Sequence, residues 1–353
     1  MCTALAFTAL NTPNFTPLAF AQIALFPHEE TVADAGYEAA LKAYQDGDPA
    51  NALIHGKLSG GGGNVDAQVL VGYLLMREGT GFMDKDEAAI WFLKAAKLGQ
   101  VDAMVALSEL ALNAHGGLSP TDAVKWLEMA SANDRTDAMR ALADIYIRGR
   151  GITRNRAEGR GWLVKAANYG DPLAERKLGD LDIGVDPKKA LIWYERAADH
   201  GDAEAAYSAA IMYAENFEIP PSASKAAKLL SQAAEAGIAA AQADYGLIVY
   251  QGNGVPRSAE KAAQWFKRAA YGGDPEGRFL YAFTLAKGDG VEKSFEDAYY
   301  WLLLAEQDSG ETGIDDYDRS RTELQQRLED NVDPAVLMKA RKRATSDTLM
   351  GTP

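Results

Sequence analysis

The six tryptophans of this 353-residue chain are regularly placed. They are Trp91, Trp126, Trp162, Trp193, Trp265 and Trp301, at spacings of 35, 36, 31, 72 and 36. The long interval is two periods of 36, with Leu229 at its midpoint. Every tryptophan thus anchors one unit of a repeat of about 36 residues. Such a period constrains the chain to an array of like units, each burying its apolar face against its neighbours. The usual expectation of about 150 residues per domain gives way to that constraint.

Other positions keep the same register. Four residues after the anchor stand Ala95, Ala130, Ala166, Ala197, Ala233, Ala269 and Ala305. Three before it stand Ala88, Ala123, Gly159, Ala190, Ala226, Ala262 and Ala298. Eight after it come Gly99, Asp134, Gly170, Gly201, Gly237, Gly273 and Ser309. Twelve after it come Ala103, Ala138, Ala174, Ala205, Ala241, Gly277 and Gly313. One period before Trp91 lies His55, flanked by Ala52, Gly63 and Ala67 in the matching places, so a degenerate eighth unit opens the array.

Offsets of −3 and +4 put two small residues on the tryptophan's own helical face, one turn to either side. Small residues there admit a neighbouring helix closely, and the tryptophan is expected to fill the space between helices. The glycine at +8 is placed to close the helix in a left-handed turn. The alanine at +12 opens the next helix, with apolar positions at helical spacing such as Leu142, Ile145 and Tyr146. Each unit therefore reads as an antiparallel helix pair. Within the pairs, Gly79-Thr80-Gly81, Gly149-Arg150-Gly151, Gly252-Asn253-Gly254 and Gly288-Asp289-Gly290 supply tight turns. The unit anchored at Trp193 lacks this loop, which accounts for its short spacing. Helix starts are expected at Ser119-Pro120, Asp186-Pro187 and Ser258. In the unit of Trp126, Asp134 replaces the cap glycine and leaves the helix end open to question.

The pattern resembles the Sel1-like repeat, a relative of the tetratricopeptide repeat. The signature is fullest in Lys261-Ala262-Ala263-Gln264-Trp265-Phe266-Lys267-Arg268-Ala269-Ala270, after Gly252-Asn253-Gly254-Val255. It recurs in Lys189-Ala190-Leu191-Ile192-Trp193-Tyr194-Glu195-Arg196-Ala197-Ala198. The resemblance implies an all-α, right-handed superhelical solenoid of antiparallel helix pairs. On this reading residues 1–34 are a leader, 35–310 the solenoid, and 311–353 capping helices with a loose tail. Tyr317 to Leu328 has helical character, and Asp333-Pro334 opens a second helix reaching about Arg343. Val336, Leu337 and Ala340 are placed to cover the last unit, and residues from Ala344 onward read as frayed. The run Lys339, Arg341, Lys342 and Arg343 reads as a solvated helix end favoured by the helix dipole.

The leader has two readings. Ala19-Phe20-Ala21 before Gln22 matches a signal-peptidase site, and Leu5 to Leu10 suits an apolar segment, but no Lys or Arg occurs before Lys42. It reads either as part of an export signal or as a flexible apolar-polar leader. No apolar run reaches the eighteen or so residues of a membrane-spanning helix.

With 36 basic and 50 acidic side chains, a net charge of −14 argues against a nucleic-acid or anionic-lipid surface. Cys2 is the single cysteine, so there is no internal disulfide and no multi-cysteine zinc site. His28, His55, His115 and His200 show no metal-ligand spacing, and His55 reads as the stand-in for an anchor tryptophan. Gly60 to Gly63 lacks the Lys and Ser/Thr of a phosphate loop and reads as a linker turn. No nucleophile elbow occurs. No catalytic constellation, metal or cofactor is implied.

By resemblance to tetratricopeptide units, the first helix of each pair lines a concave face. Positions two and six residues after its early small residue are Val69 and Tyr73, Val105 and Glu109, Arg140 and Asp144, Arg176 and Asp180, Tyr207 and Ile211, Ala243 and Leu247, and Phe279 and Phe283. The middle of this face carries charges of both signs, and its ends are mostly apolar. Two readings stand side by side: an interaction face, or packing aromatics among solvated charges. The first makes the chain a non-enzymatic scaffold or regulator that holds a peptide segment or helix of another protein along the groove, anchored by Tyr207, Phe279 and Phe283. By resemblance, exported proteins of this kind restrain membrane sensor kinases, organise envelope or exopolysaccharide machinery, or act in host contact. The alternatives are a cytoplasmic adaptor, and a carbohydrate-binding solenoid or enzyme subunit. Partner identity and oligomeric state are not legible.

Overall fold

The computed structural model describes residues 32–215, 219–308 and 316–350. Among the described residues the regular structure is all helical: eighteen α-helices and one 3-10 turn at His115–Gly117. The signal-peptide motif, Cys2 and Ser309 lie outside the described residues. The chain divides into two compact units, residues 1–103 and 104–353.

In the first unit, α1 (Val32–Gln45) and α2 (Pro49–Gly61) form the degenerate opening pair. Helices α3 (Val65–Met76) and α4 (Lys85–Lys97) form the next. Ala40, Ala52, Leu70 and Leu74 make a core here. The division falls within α5 (Val101–Leu112). In the second unit α6 (Pro120–Ser131) follows, then the pairs α7 (Thr136–Arg148) with α8 (Arg156–Asn168) and α9 (Pro172–Asp182) with α10 (Pro187–Asp199). Next come α11 (Ala203–Ala214) with α12 (Ala223–Glu235), α13 (Ala239–Gln251) with α14 (Ala259–Tyr271), and α15 (Pro275–Lys287) with α16 (Phe295–Asp308). Helices α17 (Asp316–Asn331) and α18 (Pro334–Met350) close the chain.

The small positions behave as expected: the alanines at −3 and +4 of each anchor are buried. The anchors themselves correct the expectation. Trp91, Leu229 and Trp301 are buried, but Trp126, Trp162, Trp193 and Trp265 are only half-buried. The residue after each anchor is the one sealed into the core: Phe92, Leu127, Leu163, Tyr194, Leu230, Phe266 and Leu302. Burying such a side chain contributes about 1.5–3 kcal/mol. The indole is covered in Trp91 and Trp301 and keeps part of its surface in solvent in the other four. Its outer face is covered by a cation three residues on: Lys94 stands 3.9 Å from the Trp91 ring centre, Arg268 4.4 Å from Trp265 and Lys165 4.8 Å from Trp162.

Helix ends follow local chemistry. Asp186, Asp202 and Asp274 cap α10, α11 and α15 by accepting the N–H three residues on. Pro187 and Pro275 occupy the first turn. Ser119 and Asp122 form a reciprocal capping box at α6. Asp134 adopts the left-handed conformation at φ 60°, so it turns the chain as the glycines do elsewhere. In the G-x-G loops of Gly151, Gly254 and Gly290 the second glycine is required twice over, whereas Gly81 needs only its positive φ. Gly290 has φ 78°, and a Cβ there would stand 2.3 Å from the Ala259 backbone at the start of α14. The loops of Gly151, Gly254 and Gly290 thus rest on the second helix of the preceding pair, at Pro120, Ala223 and Ala259.

The last helix also departs from expectation. Helix α18 continues past Arg343 to Met350, because its apolar stripe continues. Leu337, Ala340 and Ala344 are all buried, and Val336 is half-buried. Tyr300 donates its hydroxyl to Asp347 at 2.7 Å. The basic run lies in mid-helix, and three of its four cations are paired: Lys339 with Glu296, Arg341 with Glu329 and the Tyr299 hydroxyl, Arg343 with Asp297.

Candidate functional site: the face of the first helices

In the first unit, Tyr73 on α3 is 41% exposed and meets Phe92 edge-on at 5.1 Å. Val69 is buried beside it in sequence, as is Val105 on α5, so the +2 position turns inward where it is apolar. Glu109 is half-buried.

The charged middle of the face is tied together within the array. Arg140 reaches Asp171 at 3.0 Å, and Arg176 reaches Asp202 at 3.1 Å. Each of these aspartates is also the N-cap of the next first helix, accepting from Ala174 and Ala205. One carboxylate therefore both caps a helix and anchors its neighbour. Asp144 pairs with Arg148 at 2.7 Å, and Asp180 accepts the Tyr194 hydroxyl at 2.8 Å. Burial and that carboxylate push the Tyr194 hydroxyl well up. Lys177 sits among Arg140, Arg148 and Arg176, and burial lowers its ammonium despite Asp144. The fully buried Glu175 is held by Arg196 and His200, each at 2.7 Å.

The C-terminal end of the face is different. Tyr207 donates to Asp244 at 3.0 Å. Burial raises both groups, and Asp274 and Glu215 push the Asp244 carboxyl further up. Asp274 is itself raised by burial. Three residues beyond Asp244 stands Leu247, and on the neighbouring helix Phe279 and Phe283. Ala243 is buried, Phe279 nearly so, and Phe283 is 36% exposed. Leu247, Phe279 and Phe283 line a cleft of about 390 Å³ with Tyr250, Phe266 and Leu280. Its far wall is α17, through Ser320, Glu323, Leu324 and Arg327.

The structure therefore brings Leu247, Phe279 and Phe283 together and places Tyr207 one step along the same face. It does not bring Tyr73 or Glu109 to that cleft. Sequence reasoning missed Asp244 and the α17 wall. The spacing of Asp244 from Leu247, one helical turn, carries a signal for the first; nothing in the repeat register carries one for the second. Among the described residues no three or more His, Cys, Asp or Glu side chains are grouped to hold a metal ion. Among them no helix is long and apolar enough to cross a membrane.

The model of the Sel1 repeat matches seven successive stretches: 65–100, 101–134, 136–171, 173–202, 203–238, 239–274 and 275–307. An uncharacterised protein of Neisseria meningitidis serogroup B, NMB1327, is 34% identical over 128 residues. That match takes in 35% of this chain and 27% of the relative, so the chain spans about a quarter of its length. The crystal structure of a Sel1 repeat protein from Oxalobacter formigenes is similar with TM-score 0.65 at 24% identity, covering 84% of this chain and 87% of that one. That likeness concerns the fold. The c5321 protective antigen of uropathogenic Escherichia coli, with an SLR fold, shows TM-score 0.44 at 23% identity over 89% of this chain and 76% of its own. The stacked helix pairs, their register and the family match agree: the chain belongs to the Sel1 repeat family.

Proposed function

We propose that this protein is a non-enzymatic scaffold or regulator that binds a segment of another protein along the face of its first helices. Sel1 repeats generally mediate protein–protein interaction. The observation that carries the reading for this chain is the cleft beside Leu247, Phe279 and Phe283: an apolar, partly exposed opening on that face. Pockets of a few hundred Å³ with apolar walls and a few polar groups are the usual shape of a recognition site. The charged middle, braced by Arg140 and Arg176, then serves as a stiff spacer that holds the face in register.

We place the protein in the bacterial periplasm, acting on a membrane sensor or on envelope or exopolysaccharide machinery. The support is the Ala19-Phe20-Ala21 motif before Gln22. In-cell crosslinking and affinity capture, with the captured chain's N-terminus read by mass spectrometry, tests both parts. A chain starting at Gln22 with an envelope protein attached is the expected result. An intact Met1 or Cys2 end with cytoplasmic partners would sink the export reading and leave an intracellular adaptor.

A further inference from the structure

The C-terminal end of the face has a charge pattern its middle lacks. In the middle, exposed Asp180 also meets a tyrosine, but the buried aspartates have arginine partners: Asp171 with Arg140, Asp202 with Arg176, Asp182 with Arg160. Asp244 accepts a hydrogen bond from Tyr207, and among the described residues no cation pairs with it. Asp274 and Glu215 add to the negative field around it. Asp244 lies one helical turn before Leu247, which lines the apolar cleft.

We propose that this site takes a basic amphipathic segment of another protein, with a large apolar side chain in the cleft between α15 and α17 and a Lys or Arg against Asp244. The proposal rests on the groove reading above and names the chemistry of its occupant. Charge complementarity selects the occupant. A cation there would meet a carboxylate already desolvated, where opposite charge counts for more than at an open surface. A net charge of −14 draws basic partners to the whole chain. On the protein's own α18, Lys339, Arg341 and Arg343 are already paired with α16 and α17. The chain's first 41 residues contain no Lys or Arg. The paired cations are held in place and the leader has none to offer, so the occupant proposed is another protein.

The test is selection from a phage-displayed library of random peptides on the intact chain, with Phe283→Ala and Asp244→Asn as counter-targets. Selected peptides are expected to combine Lys or Arg with Phe, Leu or Trp at helical spacing. A labelled selected peptide should bind at least tenfold more weakly to either variant, and more weakly at high salt. Circular dichroism of the variants should match the native chain. Acidic selected peptides that need Phe283 would overturn the basic occupant while leaving the groove reading in place. Peptides insensitive to both variants, or none selected, would overturn the proposal at this site. A concentration-dependent dimer abolished by Asp244→Asn would put a second copy in the cleft and equally overturn it.

Discussion

The ring of Phe266 stands against Gly246: a Cβ on that glycine would lie 2.7 Å from the ring carbon Cε1. The same relationship joins Phe92 to Gly72 and Tyr194 to Gly179, each with a would-be Cβ 2.5 Å from the ring. In the units where the residue after the anchor is leucine (Leu127, Leu163, Leu230 and Leu302), the matching first-helix residue is Ser108, Ala143, Ala210 or Ala282. An aromatic knob goes with glycine, and a leucine knob with a small side chain. The two positions act as one packing unit across the pair.

That relationship predicts a coupling. Gly246→Ala should lose stability through overpacking, about 1–3 kcal/mol, despite alanine's better helix propensity. Phe266→Leu alone should also lose stability, by leaving space. The double variant should recover part of the loss, with a coupling of about 0.5–3 kcal/mol. Urea denaturation of the four proteins measures it; additive losses would show that the two positions are independent.

The turn glycines should differ from one another. Gly290→Ala meets both a left-handed backbone and the Ala259 main chain, which cannot step aside. Its cost should exceed the roughly 1–2 kcal/mol of the left-handed backbone alone. Gly201→Ala, with φ 93° and nothing within 4 Å of the new Cβ, should lose only that. Equal losses in thermal denaturation would contradict the packed-loop account.

The Asp244 carboxyl is held above the ordinary carboxylate range by burial, against the opposing hydrogen bond from Tyr207. The folded state therefore holds this proton more tightly than the unfolded chain. Stability should fall as pH rises from about 4 through the folded value, and the penalty is complete above it. Asp244→Asn should be at least as stable as the native chain at neutral pH, with its advantage shrinking toward about pH 4. Tm measured against pH for both proteins decides this; a variant less stable at neutral pH would contradict it.

The end of α18 belongs to the cap. Tyr300, whose hydroxyl burial and Asp347 push up to about 12, depends on that last turn. Ending the chain after Arg343 should expose Tyr300 and speed hydrogen exchange in α16. Tyr300→Phe should lose about 1 kcal/mol, one buried hydrogen bond. Unchanged exchange in the shortened chain would show a tail without structural role.

The repeat was legible because small residues recur where helices touch, and no other arrangement of Ala88, Ala95 and Ala103 and their equivalents explains the register. The role of the anchors was less so. Periodicity identifies a position without saying how deep it lies: Trp91 and Trp301 are buried, whereas Trp126, Trp162, Trp193 and Trp265 are covered less than the residue that follows each. The length of α18 is not legible because Ala344 is too small to mark a buried stripe by itself. The charged face could be listed but not partnered: Arg140 and Asp171 lie 31 residues apart, and their meeting depends on how pairs stack. The cleft was half legible. Leu247, Phe279 and Phe283 follow from the register, whereas Leu324 reaches them from outside the repeat.

The most direct test of the interaction face is site-specific photocrosslinking in the native cell. A photoreactive phenylalanine analogue would replace Phe283 in the cleft, or Ile192, which is 61% exposed on the second helix α10. The account predicts a discrete partner crosslinked from position 283, and none from position 192. The same partner from both positions, or from position 192 alone, would contradict it.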